Sequence, residues 1–262
     1  MACVPSIVPS QIVAVGSVSS IHTFGSDHVL KRSPPSLNEF ARQAFDIEVR
    51  AYKRLGNHRR IAVLSDVTSE GIVLERGECL RKIIQSPGSG KITMRTRLRW
   101  AQEASEGLCY IHSKSIIHAD VGCHNLILDQ SGHIRFIDFA GSGIDGEPPM
   151  VCYETCASRG DSAPTEKTDI FAFGSALFEI ESGHVPYHEL CDTMEIFQAL
   201  RAAEQRYAMG EYPNMESSCF RHVITKCWDG TYSSMFEVER DLCSLELADD
   251  DDNPCPAWEM AS

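Results

Sequence analysis

The chain has 262 residues, of which 43% are hydrophobic, enough to form a sizeable core in one domain or in two joined lobes. Its 24 basic and 37 acidic residues give a net charge of −13, which argues against binding to nucleic acids or anionic membranes. Eleven irregularly spaced cysteines do not indicate a disulfide framework, and no apolar run has the length of a membrane span. The first twenty residues lack a basic start and a clear cleavage site, so we expect a cytoplasmic or nuclear protein.

The N-terminal part of the chain has the pattern of short strands. An apolar, largely β-branched run at 12–15 precedes a group of glycine and serine residues that would end a strand. Residues 24–27 have the composition of a hairpin turn, and Val29, Leu30 and Lys31 form the expected return strand. We therefore predict a small antiparallel sheet that begins near residue 12.

A change of period at residue 37 indicates the first helix. Apolar residues recur there every three or four positions, and Gly56 and Asn57 would end the helix: Phe40, Ala44, Ile47, Ala51 and Leu55. Two further strands are predicted at 61–66 and 71–75. The first third of the chain is thus expected to be a sheet with one helix.

The remaining chain is predicted to be mainly helical. A long helix is expected at 93–113, and two short apolar runs at 126–128 and 134–137 enclose a turn. Three more helices are predicted from their apolar spacing, at 170–182, 194–209 and 218–227. The acidic run near the C-terminus, at 249–252, is typical of a solvated tail.

The segment from 118 to 138 contains the residues best suited to chemistry. Asp120 follows a helix in a predicted loop, Asn125 lies five residues later, and Asp138 ends the hairpin that follows. One carboxylate and one amide oxygen can hold Mg²⁺, which prefers oxygen ligands. The second carboxylate can accept a hydroxyl proton, and phosphoryl transfer needs little beyond positioning and charge neutralisation.

In this segment the chain resembles the protein kinase family, and the resemblance extends over residues 12–247. His118, Asp120 and Asn125 match the family's His-Arg-Asp motif with its asparagine five residues on, and Asp138 and Phe139 begin the family's Asp-Phe-Gly motif. The resemblance implies that Asp120 is the catalytic base and that Asn125 and Asp138 hold Mg²⁺. It also implies ATP and Mg²⁺ as cofactors and a protein as the acceptor substrate.

Residues before the loop fit the same family. Lys31 resembles the lysine that pairs with the ATP phosphates, and Glu48, 17 residues later on the first helix, resembles its ion-pair partner. Leu74 would face the back of the adenine pocket, Glu75 would begin the hinge between lobes, and Gly16 would lie over the phosphates.

The resemblance implies a bilobal α+β fold. The N-lobe, a small antiparallel sheet with one helix, would span residues 12–75, and a larger, mainly helical C-lobe would span 78–247. Residues 248–262 would form an acidic tail. Asp169 begins a run to Gly174 that matches the start of the family's large buried helix, where this aspartate would brace the catalytic loop, and Trp228 is expected in the core.

Several positions depart from the family pattern. Gly16 stands alone where three glycines are usual, and Ala119 replaces the arginine that receives a phosphate on the activation segment, the stretch after Asp138. We therefore expect activity that does not require phosphorylation of that segment. Gly122 and His124 occupy the positions where kinases usually carry a lysine or an arginine, and His124 would supply a charge only when protonated.

Three functions remain open at this point. The first is a protein kinase that acts on serine or threonine and less readily on tyrosine, and the second is a binding module with the same fold but no catalysis. The third is a small-molecule phosphotransferase, which would not share the Asp169 helix start. A zinc site is disfavoured because the spacing of its candidate ligands fits no usual structural site: Cys109, His112, His118, Cys123 and His124. The oligomeric state is left open.

Overall fold

The computed structural model describes most of the chain. The predicted acidic tail lies outside the described residues, as do residues 37 and 38 of the predicted first helix. The described residues are 11–16, 19–32, 39–151, 153–158, 160 and 163–246.

The N-terminal region is a five-stranded antiparallel sheet with the order β1-β2-β3-β5-β4. Its strands are β1 (Ile12–Val15), β2 (Ser20–Phe24), β3 (His28–Arg32), β4 (Leu64–Val67) and β5 (Gly71–Glu75). The predicted turn between β2 and β3 is confirmed, and Gly25 takes a φ of +71° there, which glycine adopts without a steric penalty. The strand expected at 61–66 begins later, because Ile61 instead makes an isolated bridge to Phe136.

Helix α1 (Glu39–Leu55) confirms the predicted helix but buries a different face at its start. Phe40 is 44% exposed, whereas Ala41, Ala44, Ala51 and Leu55 are buried. Glu48 lies on the same buried face and is 1% exposed. The interior face includes the Glu48 carboxylate, which a hydrophobic pattern does not count. The apolar spacing of the sequence therefore indicates a face slightly displaced from the one that is buried.

Two small sheets follow. One has the order β6-β8-β9 and the other pairs β10 with β7. Their strands are β6 (Glu78–Cys79), β7 (Ile116–Ile117), β8 (Leu126–Leu128), β9 (Ile134–Phe136) and β10 (Gly143–Ile144). The two apolar runs predicted after the catalytic loop are therefore confirmed as the paired strands β8 and β9, and the Gly132 amide donates to the Asp129 carbonyl in the turn between them.

The C-terminal region is helical. Its helices are α2 (Leu80–Ile84), α3 (Met94–Ser113), α4 (Glu166–Ser182), α5 (His188–Thr193), α6 (Ile196–Met209), α7 (Arg221–Trp228) and α8 (Met235–Cys243). Helix α4 begins four residues before the predicted start, since Thr165 and Thr168 form a capping box that satisfies its first amides. Helices α2, α5 and α8 were not predicted, and the five and six residues of α2 and α5 give a helical period too few repeats.

Helix α4 is the centre of the helical core. Every residue from 169 to 181 is buried, as expected for a helix enclosed on all sides. A Cβ at Gly174 would lie 2.7 Å from the Cys227 Cβ, so glycine there allows α7 to pack closely. Trp228 is 1% exposed and donates to the Ser175 hydroxyl, which confirms it as a core anchor. None of the helices formed by the described residues is long and apolar enough to cross a bilayer.

Candidate active site

Lys31 and Glu48 form a buried ion pair between β3 and α1. Lys31 Nζ lies 2.7 Å from Glu48 Oε1, and both side chains are almost fully buried. The ion pair predicted from their spacing is thus confirmed. Burial alone would lower the pKa of Lys31, but the carboxylates of Glu48 and Asp138 outweigh it and raise that pKa above its usual value. The charged ammonium form of Lys31 is therefore favoured over the neutral amine.

Asp138 shares the same ammonium group. Its Oδ1 accepts from Lys31 Nζ at 2.6 Å and from the Ala140 amide at 3.3 Å. Burial would raise the pKa of Asp138, yet Lys31 outweighs burial and holds the pKa below its usual value. A φ of +64° places Asp138 in the left-handed region, an uncommon conformation for a residue other than glycine.

An aromatic stack supports this strained position. The Phe139 ring is fully buried and meets Tyr52 of α1 edge-on, with centroids 5.0 Å apart. On its other side it packs against His118 at 5.1 Å. The stack joins α1 to the catalytic loop, residues 118–125, so that Glu48, Asp138 and the loop are held as one unit.

Asp169 braces the catalytic loop from below. Its Oδ1 and Oδ2 accept the amides of Ala119 and His118, each at 2.9 Å, and Oδ2 also contacts His112 Nε2 at 2.9 Å. Ala119 is held at a φ of +66°, an unfavourable conformation for alanine that the bond to Asp169 stabilises. The position predicted for Asp169 behind the loop is therefore observed.

Asn125 connects Asp120 to the strand before Asp138. Asn125 Nδ2 donates to the Asp120 carbonyl at 2.8 Å and to Asp120 Oδ2 at 2.9 Å. The Asn125 carbonyl accepts the Ile137 amide at 3.0 Å. The four predicted residues Lys31, Asp120, Asn125 and Asp138 thus belong to one connected cluster.

The donor set of this cluster fits Mg²⁺. Asn125 uses its amide nitrogen for Asp120, which leaves its amide oxygen as a ligand, and Asp138 has a second carboxylate oxygen besides the one bonded to Lys31. Both are hard oxygen donors of the kind that Mg²⁺ prefers. Two such ligands also leave room for substrate phosphates in an octahedral shell.

The residues predicted to line the nucleotide pocket lie in the N-terminal sheet, at the end of β5 and after β1. Leu74 is buried and pairs with Val29. Glu75 directs its carboxylate to Arg135 Nε and to the Val63 amide, each at 3.2 Å, and its own amide donates to the Val63 carbonyl at 3.0 Å. Gly16 is exposed and donates its amide to Ser19, so it closes the tip of the β1–β2 hairpin.

The sequence analysis did not single out Gly77, which lies in the short segment between β5 and β6. A Cβ at Gly77 would be 2.6 Å from the Leu128 carbonyl oxygen, so only glycine lets this segment lie against β8. A glycine two residues after Glu75, where the predicted hinge begins, could have indicated this close contact from the sequence.

Comparison with known proteins agrees with this geometry. The family model described as the protein kinase domain matches residues 28–235, which is more than half of the chain. The chain belongs to the protein kinase family.

The kinase is similar to several named relatives. It is 25% identical over 185 residues to a serine/threonine/tyrosine-protein kinase of Arabidopsis thaliana, a match that covers 65% of this chain and 45% of the relative. It is 26% identical over 239 residues to serine/threonine-protein kinase mos of Patiria pectinifera, covering 83% and 67%. A CBL-interacting serine/threonine-protein kinase of Arabidopsis thaliana is 31% identical over 163 residues, covering 54% and 35%. The kinase thus spans from about a third to two thirds of these relatives.

A chain of charged groups lies around Asp120, and we call this part of the structure, formed by Asp120, His124, Glu154 and Arg81, the acceptor side. His124 Nε2 lies 3.2 Å from Asp120 Oδ2, and His124 Nδ1 lies 3.4 Å from Glu154 Oε2. Burial would lower the pKa of His124, but the two carboxylates outweigh it and raise the pKa to about 10. The two carboxylates therefore favour the protonated imidazole that the sequence analysis required of His124.

Gly122 makes this arrangement possible. A Cβ at that position would come within 2.6 Å of the His124 ring, and the extended backbone, with a φ of −179°, would itself accept any residue. The imidazole of His124 therefore occupies the space that a side chain at position 122 would fill.

Arg81 and Glu179 continue the chain beyond Glu154, and the sequence analysis did not reveal them. Arg81 of α2 donates to both oxygens of Glu154 at 2.6 Å and to Glu179 Oε2 of α4 at 2.8 Å. Glu154 and Glu179 lie 73 and 98 residues after Arg81, too far for any local sequence pattern to pair them with it. They line a cavity of about 360 Å³ beside Val121 and Gly122.

Helix α1 is also joined to the activation segment, from Asp138 to the start of α4. Arg50 donates to both oxygens of Glu147 at 3.0 and 3.2 Å, and Arg54 forms a second two-bond pair with Asp145. We call these two pairs the α1 clasp. Through the carboxylates of Asp145 and Glu147, the clasp connects the helix that carries Glu48 to the activation segment.

Proposed function

We propose that this kinase transfers the γ-phosphoryl group of ATP to a serine or threonine hydroxyl of a protein. The observation that carries the proposal is the placement of Lys31 Nζ, 2.7 Å from Glu48 and 2.6 Å from Asp138. A catalytically competent site needs the lysine, its partner glutamate and the metal-binding aspartate together, and here all three meet. Asp120 and Asn125 complete the cluster from the catalytic loop.

Each residue has a distinct part in this proposal. Lys31 would leave Asp138 to bind the phosphates of ATP, while Glu48 keeps the ammonium in place. Asp138 and Asn125 would hold Mg²⁺, which neutralises charge on the transferred group. Asp120, 31% exposed, would accept the proton of the acceptor hydroxyl as that oxygen attacks the γ-phosphorus and the bond to the ADP oxygen breaks.

The choice of acceptor rests on the acceptor side. The three relatives reported above carry serine/threonine in their names, and one of them also carries tyrosine. The cavity lined by Val121 and Gly122, the two residues after Asp120, is bounded by the activation segment and α4, and we take it as the place where a protein chain lies. A protein hydroxyl is therefore preferred to a small alcohol.

The first test compares wild-type kinase with Asp138→Asn. The substitution removes one carboxylate charge at nearly constant size, so both Mg-dependent ATP affinity and autophosphorylation should fall, the latter by about 100-fold. The matched control is Asp66→Asn, which removes an exposed aspartate of β4 and should change neither. Equal transfer by Asp138→Asn and wild type would refute the proposed roles.

A second candidate is a binding module that does not transfer phosphate. It is favoured by the single glycine at the hairpin tip, Gly16, and by the ion pairs in which His124 and Glu154 are already engaged. Mg-ATP binding by wild type, with no transfer to itself or to a general acceptor such as casein, would select this function.

A further inference from the structure

Two thiols meet at the cavity, and neither takes part in the proposed phosphoryl transfer. Cys156 Sγ of the activation segment and Cys191 Sγ of α5 lie 3.8 Å apart, and both cysteines are free. Cys156 is 4% exposed, whereas Cys191 is exposed to solvent. Both line the cavity. A solvent-exposed thiol thus lies beside a buried one.

Separate contacts hold the two thiols in place. The Tyr207 hydroxyl of α6 donates to the Cys156 carbonyl at 2.9 Å. On the other side, Arg206 of α6 pairs with Glu189 of α5 at 2.8 Å. Since both elements are attached to α6, the sulfur atoms stay close although they are 35 residues apart. A disulfide would require the sulfur atoms to approach by about 1.8 Å, to the usual bond length near 2.05 Å.

We propose that Cys156 and Cys191 are a modification site that a peroxide converts to an intramolecular disulfide. In the first step the Cys191 thiol attacks hydrogen peroxide, the O–O bond breaks, and a sulfenic acid and one water form. In the second step the Cys156 sulfur attacks the sulfenic sulfur, the S–O bond breaks, and the S–S bond and a second water form. One peroxide is reduced and two thiols are oxidised, and a small thiol reductant reverses the change.

The environment assigns the order of these steps. Cys156 is 4% exposed, so a peroxide from solution does not readily reach its sulfur. Cys191 is open to solvent and is reached first. Cys156, held at its side, then acts as the resolving thiol before further oxidation can occur.

The disulfide would change the wall of the cavity. Residues 154–157 form the part of the wall contributed by the activation segment, and α5 contributes Cys191. A covalent link between these two walls restrains the segment. We therefore expect the amides of residues 155–157 to exchange hydrogen at least about fivefold more slowly in the oxidised protein than in the reduced protein.

The experiment is peptide mapping after exposure to a small molar excess of hydrogen peroxide. All proteins carry Cys152→Ser, because Cys152 and Cys156 lie in the same tryptic peptide, 136–159. Cys191 is the single cysteine of peptide 168–201. The expected result is a linked pair of these peptides that disappears with dithiothreitol. The link should be absent in Cys191→Ser and Cys156→Ser and present in the control Cys243→Ser, which removes an exposed cysteine of α8.

Two results would overturn the proposal. One is recovery of Cys191 as sulfinic acid or in links between molecules, with no linked peptide pair, in protein whose reduced melting curve matches wild type. The other is a disulfide that leaves hydrogen exchange at 155–157 unchanged. If Cys156→Ser melts early, Cys156→Ala serves in its place. Neither readout depends on phosphoryl transfer, so the proposed function and this site fail separately.

Discussion

The nucleotide side and the acceptor side of the kinase site are built in different ways. On the nucleotide side, one cation, Lys31, is shared by Glu48 and Asp138. On the acceptor side, His124 lies between Asp120 and Glu154, and Glu154 is in turn held by Arg81. The first arrangement leaves a lysine ready to exchange a carboxylate for a phosphate. In the second arrangement, most of the charged groups are already paired with other groups of the protein.

This difference separates the parts of the site that follow the family pattern from those that depart from it. The nucleotide side keeps the lysine, glutamate and aspartate of the family motif at their expected spacings. The acceptor side lacks a lysine at 122 and supplies an imidazole from 124 instead. Substrate choice should therefore depend on the acceptor side, and nucleotide use should depend on the other.

The largest effect is expected where a buried charge loses its partner. Lys31→Met leaves Glu48 buried beside Asp138, so the free energy of unfolding should fall by about 3 kcal/mol, and autophosphorylation should fall by about 100-fold. In Lys31→Met/Glu48→Gln most of the stability should return while transfer stays lost. Urea unfolding and an autophosphorylation assay measure the two quantities. A double variant no more stable than the single one would show that the pair is not coupled.

The next effect concerns the acceptor side alone. Gly122→Ala places a Cβ in the space of the His124 ring and should displace it, so transfer should fall about tenfold while ATP affinity stays unchanged. Gly88→Ala is the matched control, since its Cβ would meet only the Ser86 hydroxyl, at 3.9 Å. A change in ATP affinity in Gly122→Ala would contradict the separation of the two sides.

The contacts of Lys31 with Glu48 and Asp138 could be predicted because these residues fall at fixed steps within recognisable motifs. Glu48 lies 17 residues after Lys31, and Asp138 lies 18 after Asp120, so local order is enough to pair them. Arg81, Glu154 and Glu179 come from three distant elements and meet only through the packing of α2, the activation segment and α4. No periodicity records such a contact.

The fold shows the same limit. Long helices such as α3 were predicted because their apolar faces repeat over several turns, whereas α2 is only five residues long. Tertiary contacts also changed the boundaries of β4 and the interior face of α1, as Phe40 shows. These features depend on what each element packs against.

A smaller effect is expected from the α1 clasp. Asp145→Asn weakens the pair with Arg54, so α1 and its Glu48 should be less firmly placed and the KM for ATP should rise about threefold. Arg42→Gln is the control, because Arg42 pairs with Glu39 within α1 itself. Steady-state kinetics at varied ATP concentration measure the KM of each variant. Equal KM values for the two variants would show that the clasp does not affect the nucleotide side.

The clasp also gives an expected pH dependence. The hydrogen bonds from Arg54 lower the pKa of Asp145 below its usual value of 3.8. A carboxylate with a lowered pKa contributes stability above its unfolded pKa, and the contribution is lost as pH falls through the folded pKa. Wild type should therefore lose more stability than Asp145→Asn between pH 4 and more acidic conditions, and parallel unfolding curves would contradict this.

The smallest effect, no change at all, is expected when hydroxyls of the activation segment are removed. Ala119 stands where the family has a phosphate-binding arginine, and the α1 clasp already attaches the segment through Asp145 and Glu147. Since Thr165 caps α4, it should be changed to Asn, which keeps a capping oxygen, while Thr155 and Ser158 become Ala. The triple variant should transfer phosphate to an added acceptor protein at the wild-type rate. A loss of tenfold or more, with an unchanged melting temperature, would mean that phosphate on this segment is needed even though fixed carboxylates hold it.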